Sequence, residues 1–490
     1  MARSRSRRFT IRATWNRGRS VRSCLTSWTR IASCSDSGPH DHRRTLVAVE
    51  RETAVREPVT PAKGGALGRT FSSLRVRNFR LFIGGQVLSG IGTWMQWVAA
   101  PWLVLELTGS GVALGIDTAL ASLPILLVGA WGGVLADRFD NRRLQLGTQI
   151  AYALLAALLF ALDATGVVRV WMVYAISFAT GIVTAVDMPT RQSFYLEMVG
   201  PEDLTNAMSL NTATFTGTRI VGPVIAGAMI TTVGTAPVFL ANALTYLAVV
   251  AALLAMRTAE LHPRERATRG RGQVREGIAY VWRSPGLRRP MLLMAVVFLF
   301  SFNFAVLLPL LAVRSFDGDA GTFAGLLALM GVGSLAGSLV MAGRSANAST
   351  RALGGLGLAL GGLSLLLAVA PSLPVAWALM PFVGAAGIAF AITGNATLQL
   401  TSTGELRGRV MALYTVIFIG STPIGGPIAG WVGEHIGPRV GLAGGGAIAV
   451  LAAVGTLVAL ARDRSQPLSD RRTARSWPGV QPPPRDADPR

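Results

Sequence analysis

Residues 202–227 read EDLTNAMSLNTATFTGTRIVGPVIAG, and residues 405–430 read ELRGRVMALYTVIFIGSTPIGGPIAG. A shift of 203 positions lays Glu202, Met208, Leu210, Phe215, Gly217, Gly222, Ile225, Ala226 and Gly227 on identical residues: Glu405, Met411, Leu413, Phe418, Gly420, Gly425, Ile428, Ala429 and Gly430. Each copy is a long apolar run broken by glycine and proline, so the chain contains one membrane-type helix twice. Parallel repeats of this kind are how many secondary transporters build a site near the bilayer midplane.

The rest of the chain has the composition that this reading demands. Of 490 residues, 51% are hydrophobic and only 14% charged, with 56 glycines; the mean hydropathy is +0.47. That is too little charge to cover a water-soluble body of this size. With a template of about 20 apolar residues per crossing, six spans precede a basic central segment, at 81–107, 112–136, 144–162, 170–190, 204–233 and 236–256. Six follow it, at 291–313, 322–341, 353–370, 375–400, 410–432 and 440–460. The expected fold is an all-α integral membrane protein of twelve transmembrane helices in two six-helix halves. Its divisions are a basic disordered extension (1–70), a first bundle (71–256), a cytoplasmic linker (257–289), a second bundle (290–461) and a disordered tail (462–490). A monomer is expected.

Net charge is +21, carried almost wholly by arginine, since Lys63 is the one lysine. The arginines lie in tails and short loops between apolar runs, a placement that orients a membrane protein and argues against nucleic acid as a partner. Loops after even-numbered spans hold Arg138, Arg142, Arg143, Arg191, the run between Arg257 and Arg289, Arg344, Arg351, Arg407 and Arg409. Odd-numbered loops hold only Arg169, Arg314 and Arg439. Both termini and the central loop are therefore expected on the cytoplasmic side of a bacterial plasma membrane. Within that loop, Val274, Ile278, Val281 and Trp282 recur at helical spacing opposite Arg275, Glu276 and Arg283, the pattern of an amphipathic helix lying along the membrane surface.

Cys24 and Cys34, the only cysteines, lie in the N-terminal extension, and His40, His42, His262 and His435 share no metal-ligand spacing. The glycines at 331, 333 and 337 and at 355, 357 and 361 sit in apolar helices without a Walker-type lysine, so they read as helix-packing positions. No cofactor and no catalytic centre are expected.

An ionisable group inside a span costs a few kcal/mol to insert, about 3 on biological scales, so each one is a candidate for function. Asp187 and Arg191 are four residues apart in the fourth span, with Pro189 between them. They form either a gate or proton-coupling pair, or a static ion pair. Arg219 lies mid-way along the fifth span, where Asp187 or an anionic substrate group would neutralise it. Asp117 in the second span is a further proton candidate, and Glu106 reaches the interface. Gln86, Trp94, Gln96, Asn303 and Gln399 supply amide and aromatic groups for a cavity, or else join helices and anchor the interface. A non-transport membrane enzyme or scaffold is the reading left when all of these are structural.

The loop after the second span runs Gly132-Gly133-Val134-Leu135-Ala136-Asp137-Arg138-Phe139-Asp140-Asn141-Arg142-Arg143. It resembles the signature loop of the major facilitator superfamily. Asn78 to Phe82, Gly92 to Gln96, Trp102 to Thr108, Asp187 to Gln192, Arg275 to Gly277 and Glu405 to Met411 resemble that superfamily's transmembrane secretion effector, or enterobactin-exporter-like, branch over about 71–461. The resemblance implies alternating access, with Asp137 meeting the helix N-terminus near Arg407 to Val410 while Arg138, Arg142 and Arg143 support the loop. It also implies that Gly217, Gly222, Pro223 and Gly227 form an antiporter-like motif. The activity it implies is proton-driven export of a small amphiphilic molecule, siderophore or drug-like. Import of a nutrient on the same fold is the alternative.

Overall fold

The structure is a computed structural model that describes residues 72–262, 273–343, 348–404 and 406–465. The expectations for Cys24, Cys34, His40, His42, Arg344, Glu405 and the two terminal segments lie outside the described residues.

Helix is the rule wherever an apolar run is bounded by capping groups. After a short 3-10 turn, Ser72–Arg75, come α1 (Arg77–Thr108), α2 (Gly111–Arg138), α3 (Asn141–Ala164), α4 (Val170–Val233) and α5 (Ala236–Leu254). The central loop contributes α6 (Gln273–Arg283). The remainder forms α7 (Pro285–Ser301), α8 (Phe304–Phe316), α9 (Ala320–Ala342), α10 (Thr350–Ala368), α11 (Leu373–Thr401), α12 (Arg407–Gly420), α13 (Thr422–His435) and α14 (Pro438–Ser465). Side chains of Ser110, Asp140, Asp319 and Ser349 accept from backbone N–H groups three residues on and so start α2, α3, α9 and α10. Gly109 ends α1 in the left-handed region, at φ 62°, where a side chain would be strained.

Among the described residues, ten helical stretches are long and apolar enough to cross a bilayer. One of them is α4, whose 64 residues would extend about 96 Å if straight, roughly three hydrocarbon thicknesses. It breaks at Gly200, whose φ of 72° and ψ of 177° are followed by Pro201. His262 closes the first arm by donating its backbone N–H to the carbonyl of Glu197, at 2.8 Å. The break divides α4 into two arms, while α1 (Arg77–Thr108) is not among the ten stretches.

Several boundaries differ from the sequence expectation. The fourth span continues as helix to residue 199 because Pro189 is tolerated inside it. The seventh is split into α7 and α8 at Phe302 and Asn303, where Pro309 follows within two turns. The eleventh divides at Ser421 into α12 and α13, although Ser421 keeps helical angles.

Helices α1 to α5 pack on one another, and α7, α9, α10, α11 and α14 do the same. The two sets use equivalent devices. A Cβ on Gly181 of α4 would strike the carbonyl of Ala121 in α2, and a Cβ on Gly384 of α11, 203 positions later, would strike the carbonyl of Met330 in α9. Glycine at these places lets backbones touch, which drives helix association where no hydrophobic effect operates.

The sets meet through α2 on α13 and α4 on α9. Contact is closest at the end of the molecule remote from the 139–140 loop, here the far end. A Cβ on Gly111 would come 2.7 Å from the carbonyl of Gly430, and one on Gly115 2.5 Å from that of Gly426. A Cβ on Gly227 would lie 2.6 Å from Cβ of Ala324. Side chains tie the same end. Glu434 accepts from Ser110 Oγ at 2.5 Å and from the backbone N–H of Val112 at 2.9 Å. Arg314 donates to the carbonyls of Glu434 at 2.8 Å and Gly109 at 2.9 Å.

At the opposite, basic end the repeated segments are loose. In α12 only Val410 is buried, and Val416 and Phe418 are exposed. The corresponding stretch of α4 exposes Thr205, Ser209, Thr212, Ala213 and Phe215. Each copy is thus packed in its far half and open in its basic half.

Helix α6 forms where the amphipathic pattern predicts it. Val281 is buried while Ile278 and Trp282 remain exposed, and the Tyr280 hydroxyl accepts from the backbone N–H of Thr403 at 3.4 Å.

Candidate functional site

Asp187 is buried in α4 at the centre of a polar network. Its Oδ1 accepts from Gln145, from Thr148 Oγ1 at 2.8 Å and from Gln149 Nε2 at 3.0 Å. Its Oδ2 lies 3.8 Å from Nε of Arg191, one turn on. Arg191 in turn donates to Oε1 of Gln86 on α1, at 3.2 Å. The helix therefore keeps its register through Pro189, and the pair meets on one face as i and i+4. Gln145, Thr148, Gln149 and Tyr152 were not singled out from the sequence. Their spacing of three and four residues places them on one face of α3, and that stripe was the available signal.

Arg219 is not neutralised by Asp187. Its guanidinium carbon sits 5.3 Å from the centroid of Trp94, and its Nε is buried without a hydrogen-bond partner. Trp94 also contacts Phe215 at 5.6 Å and Trp97 at 5.3 Å between ring centroids. Gly222 permits this arrangement, because a Cβ there would collide with Cβ of Trp94. Among the described residues no acidic group pairs with Arg219.

Asp117 is buried in α2, where its Oδ1 accepts from Ser177 Oγ at 2.6 Å. At ~1.5 Å per residue it lies about 9 Å inside the far end, two residues beyond the Gly115 contact with Gly426. Glu106 accepts from Trp102 Nε1 at 2.6 Å, on its own helix.

The remaining candidates divide. Gln96 accepts from Asn242 at 2.5 Å and joins α1 to α5. Asn303 donates to the carbonyl of Leu299 at 2.7 Å, satisfying the break between α7 and α8, and Gly425 leaves room for it. Gln399 donates to Asn395 at 2.6 Å on the exposed side of α11. In the loop, a Cβ on Gly132 would collide with the carbonyl of Ala185, so this glycine brings α2 against α4. Asp137 is half-buried and engaged. Arg142 donates to the carbonyl of Leu253 at 2.8 Å, at the C-terminal end of α5 where a cation is favoured. Arg143 and Arg138 are exposed. Of the antiporter-like residues, Gly222 and Gly227 make close helix contacts and Pro223 is buried, whereas Gly217 faces open space. Gly217 is not a packing position here.

A helical membrane fold with duplicated halves, close packing between them at one end and buried ionisable groups in the first half is an arrangement suited to a transporter of the facilitator type. The family model described as transmembrane secretion effector matches residues 68–481, and the chain belongs to that family of the major facilitator superfamily. It is 28% identical over 374 residues to the multidrug efflux pump Tap of Mycolicibacterium fortuitum, covering 72% of this chain and 90% of that protein. It is 27% identical over 265 residues to the staphyloferrin A transporter of Staphylococcus aureus, covering 54% of this chain and 66% of that protein. In fold it is similar to a bacterial homologue of the human lysosomal transporter Spinster in its inward-facing and unoccupied conformation. That similarity has a TM-score of 0.61 at 15% identity, and covers 85% of this chain and all of the other.

Proposed function

We propose that this chain is a secondary active exporter that moves a small amphiphilic molecule out of a bacterial cell by alternating access, driven by proton influx. The observation that carries the reading is the matched asymmetry of the two repeats. Both 202–233 and 406–435 are packed at the far end and open at the basic end, as suits a site loading from one side. The arginine-rich loops support a cytoplasmic basic end, which would make the open side the one from which an exporter collects its substrate. The efflux function named for the Tap relative supports the same direction.

For the proton we favour Asp117 over Asp187. Asp187 already has Gln145, Thr148, Gln149 and Arg191 around it, an arrangement that holds a charge in place. Asp117 has the Ser177 hydroxyl and no cation paired with it among the described residues, so a bound proton relieves its burial. Its position close to the far-end seam suits a group that meets protons from outside. Asp187 and Arg191 then act as positioning residues that fix α3, α4 and α1. Asp137 against the N-terminus of α12 would brace the basic end when it closes, in keeping with the packing of α2 on α12.

The test is substrate flux in proteoliposomes with an imposed pH gradient, assayed in inverted orientation against siderophores and drug-like amphiphiles. Accumulation when the interior is acid, abolished by a protonophore, is the expected result. D117N should lose the dependence on the gradient and D187N should keep it. Uptake that is equal with and without the gradient would refute proton antiport, and accumulation in the reverse orientation alone would refute export.

A further inference from the structure

Thr205, Ser209, Thr212, Thr216 and Arg219 succeed one another at intervals of four, three, four and three residues along the second arm of α4. That spacing puts them on one helical face. The first three are exposed. The hydroxyls of Ser209, Thr212 and Thr216 donate to carbonyls one turn back on their own helix, at 2.8, 2.9 and 2.8 Å, which leaves their oxygen lone pairs directed outward. The stripe begins in the open basic half of the segment and ends on Arg219.

A hydroxyl that bonds back to its own helix tolerates lipid, but a guanidinium does not. At ~1.5 Å per residue Arg219 is about 21 Å from the Val233 end of the helix and about 27 Å from Pro201, which is too deep to reach headgroups from either side. The face it shares with the hydroxyls is therefore a wetted one. At its inner end Arg219 has Trp94 beneath one side, a buried Nε without a partner and, among the described residues, no acidic residue paired with it. Trp97 and Phe215, which flank Trp94, are 55% and 58% exposed. The same position in the second repeat, 203 residues on, is Thr422, so the cation belongs to one half only.

We propose that Arg219, with Trp94, Trp97 and Phe215, recognises the anionic group of a substrate that carries a flat apolar body, such as an aryl carboxylate. The guanidinium fork pairs with two oxygens of the anion, while the exposed rings cover the apolar body. A cationic amphiphile meets an uncompensated like charge at this point and is rejected. The assignment rests on the transport reading for its purpose, but binding can be measured without any gradient.

The experiment uses the purified full chain in nanodiscs of zwitterionic phosphatidylcholine, so that no anionic headgroup competes. Equilibrium dialysis compares 2-naphthoate with 2-naphthylmethanol and 2-naphthylmethylammonium, which share the ring system and differ in charge. The wild type should bind naphthoate about tenfold more tightly than the alcohol, the effect of one charge-assisted hydrogen-bonded pair, and the ammonium more weakly than either. R219Q should bring the naphthoate-to-alcohol ratio to about one while alcohol binding persists, which reports that the protein is folded. R219K should retain a reduced preference, and W97L should weaken naphthoate and alcohol alike. Naphthoate that does not bind the wild type, equal binding of all three ligands, or a preference that survives R219Q overturns the proposal. Those results beside intact gradient-driven flux would remove this site alone. A retained anion preference in a protein without flux would instead remove the transport reading.

Discussion

Position 187 in the first half corresponds, 203 residues on, to Phe390 in the second, and Arg191 corresponds to Gly394. The glycines at 181 and 384, which make the same close helix approach, fix that register. One scaffold therefore holds two kinds of interior. In the first half, a carboxylate gathers three hydrogen-bond donors from α3 and an arginine from its own helix. In the second, Phe390 packs edge-to-face on Phe298 at 5.8 Å, and Phe298 in turn meets Phe302, Tyr414 and Phe418. Where Arg191 stands in one half, the other leaves out the side chain so that Met294 can approach Gly394. The fold does not require charge at this level, since the second half does without it. The first half has placed polar groups where they are costly, and the same half carries Arg219 and Asp117.

The comparison predicts equal structural weight from unlike chemistry. D187A strands Arg191 and the α3 amides and should destabilise the protein by about 3–5 kcal/mol, as removal of one partner from a buried pair does. F390A should lose a similar amount, about 3–5 kcal/mol, through the cavity it leaves. Thermal unfolding in nanodiscs reads both, and a loss below about 1 kcal/mol for D187A would mean that the network is not holding the helices. D187N, which keeps an acceptor for the amides, should fall well short of D187A.

A smaller effect probes what the halves share. G181A and G384A each put a methyl group against a backbone carbonyl, of Ala121 and Met330 respectively. Each should destabilise by about 1–3 kcal/mol, the range for overpacking, and by similar amounts. A tolerated substitution at one site and not the other would break the structural equivalence of the halves.

The smallest expected effect lies outside the membrane. Asp319 caps α9 by accepting from the N–H of Thr322 at 2.9 Å, and that backbone hydrogen bond holds its carboxyl below the usual range. The stabilisation is present above the pKa of the unfolded chain and is lost as the pH falls through the lowered folded value. D319A should cost about 1 kcal/mol at neutral pH and nothing in strong acid, measured as the pH dependence of the unfolding midpoint. In the first half the equivalent helix, α2, is capped by the Ser110 hydroxyl instead of a carboxylate, so that cap brings no acid loss of its own.

Much of this was legible in the sequence because it depends on local spacing. The duplicated segment, the apolar runs and the i and i+4 placement of Asp187 and Arg191 can all be read from spacing along the chain. What stayed hidden depends on distant pairings. Glu434 reaches Ser110 across 324 positions, and Arg219 turns to Trp94 on α1 because Gly222 lets the two helices touch. Gln145 and Gln149 sit in an apolar span, and their partner Asp187 lies 42 and 38 positions away on α4. Gly217 shares the antiporter-like motif with Gly222 and Gly227 but, unlike them, has nothing within 4 Å of a Cβ placed there.

The central claim is that the seam around Ser110 and Glu434 must open for substrate to leave. With Cys24 and Cys34 replaced by serine, a S110C/E434C variant can be joined by a short bifunctional thiol reagent, and flux can be measured before and after. Cross-linking should stop flux, whereas S110C or E434C alone, treated identically, should continue to transport. Undiminished flux through the joined protein would contradict it.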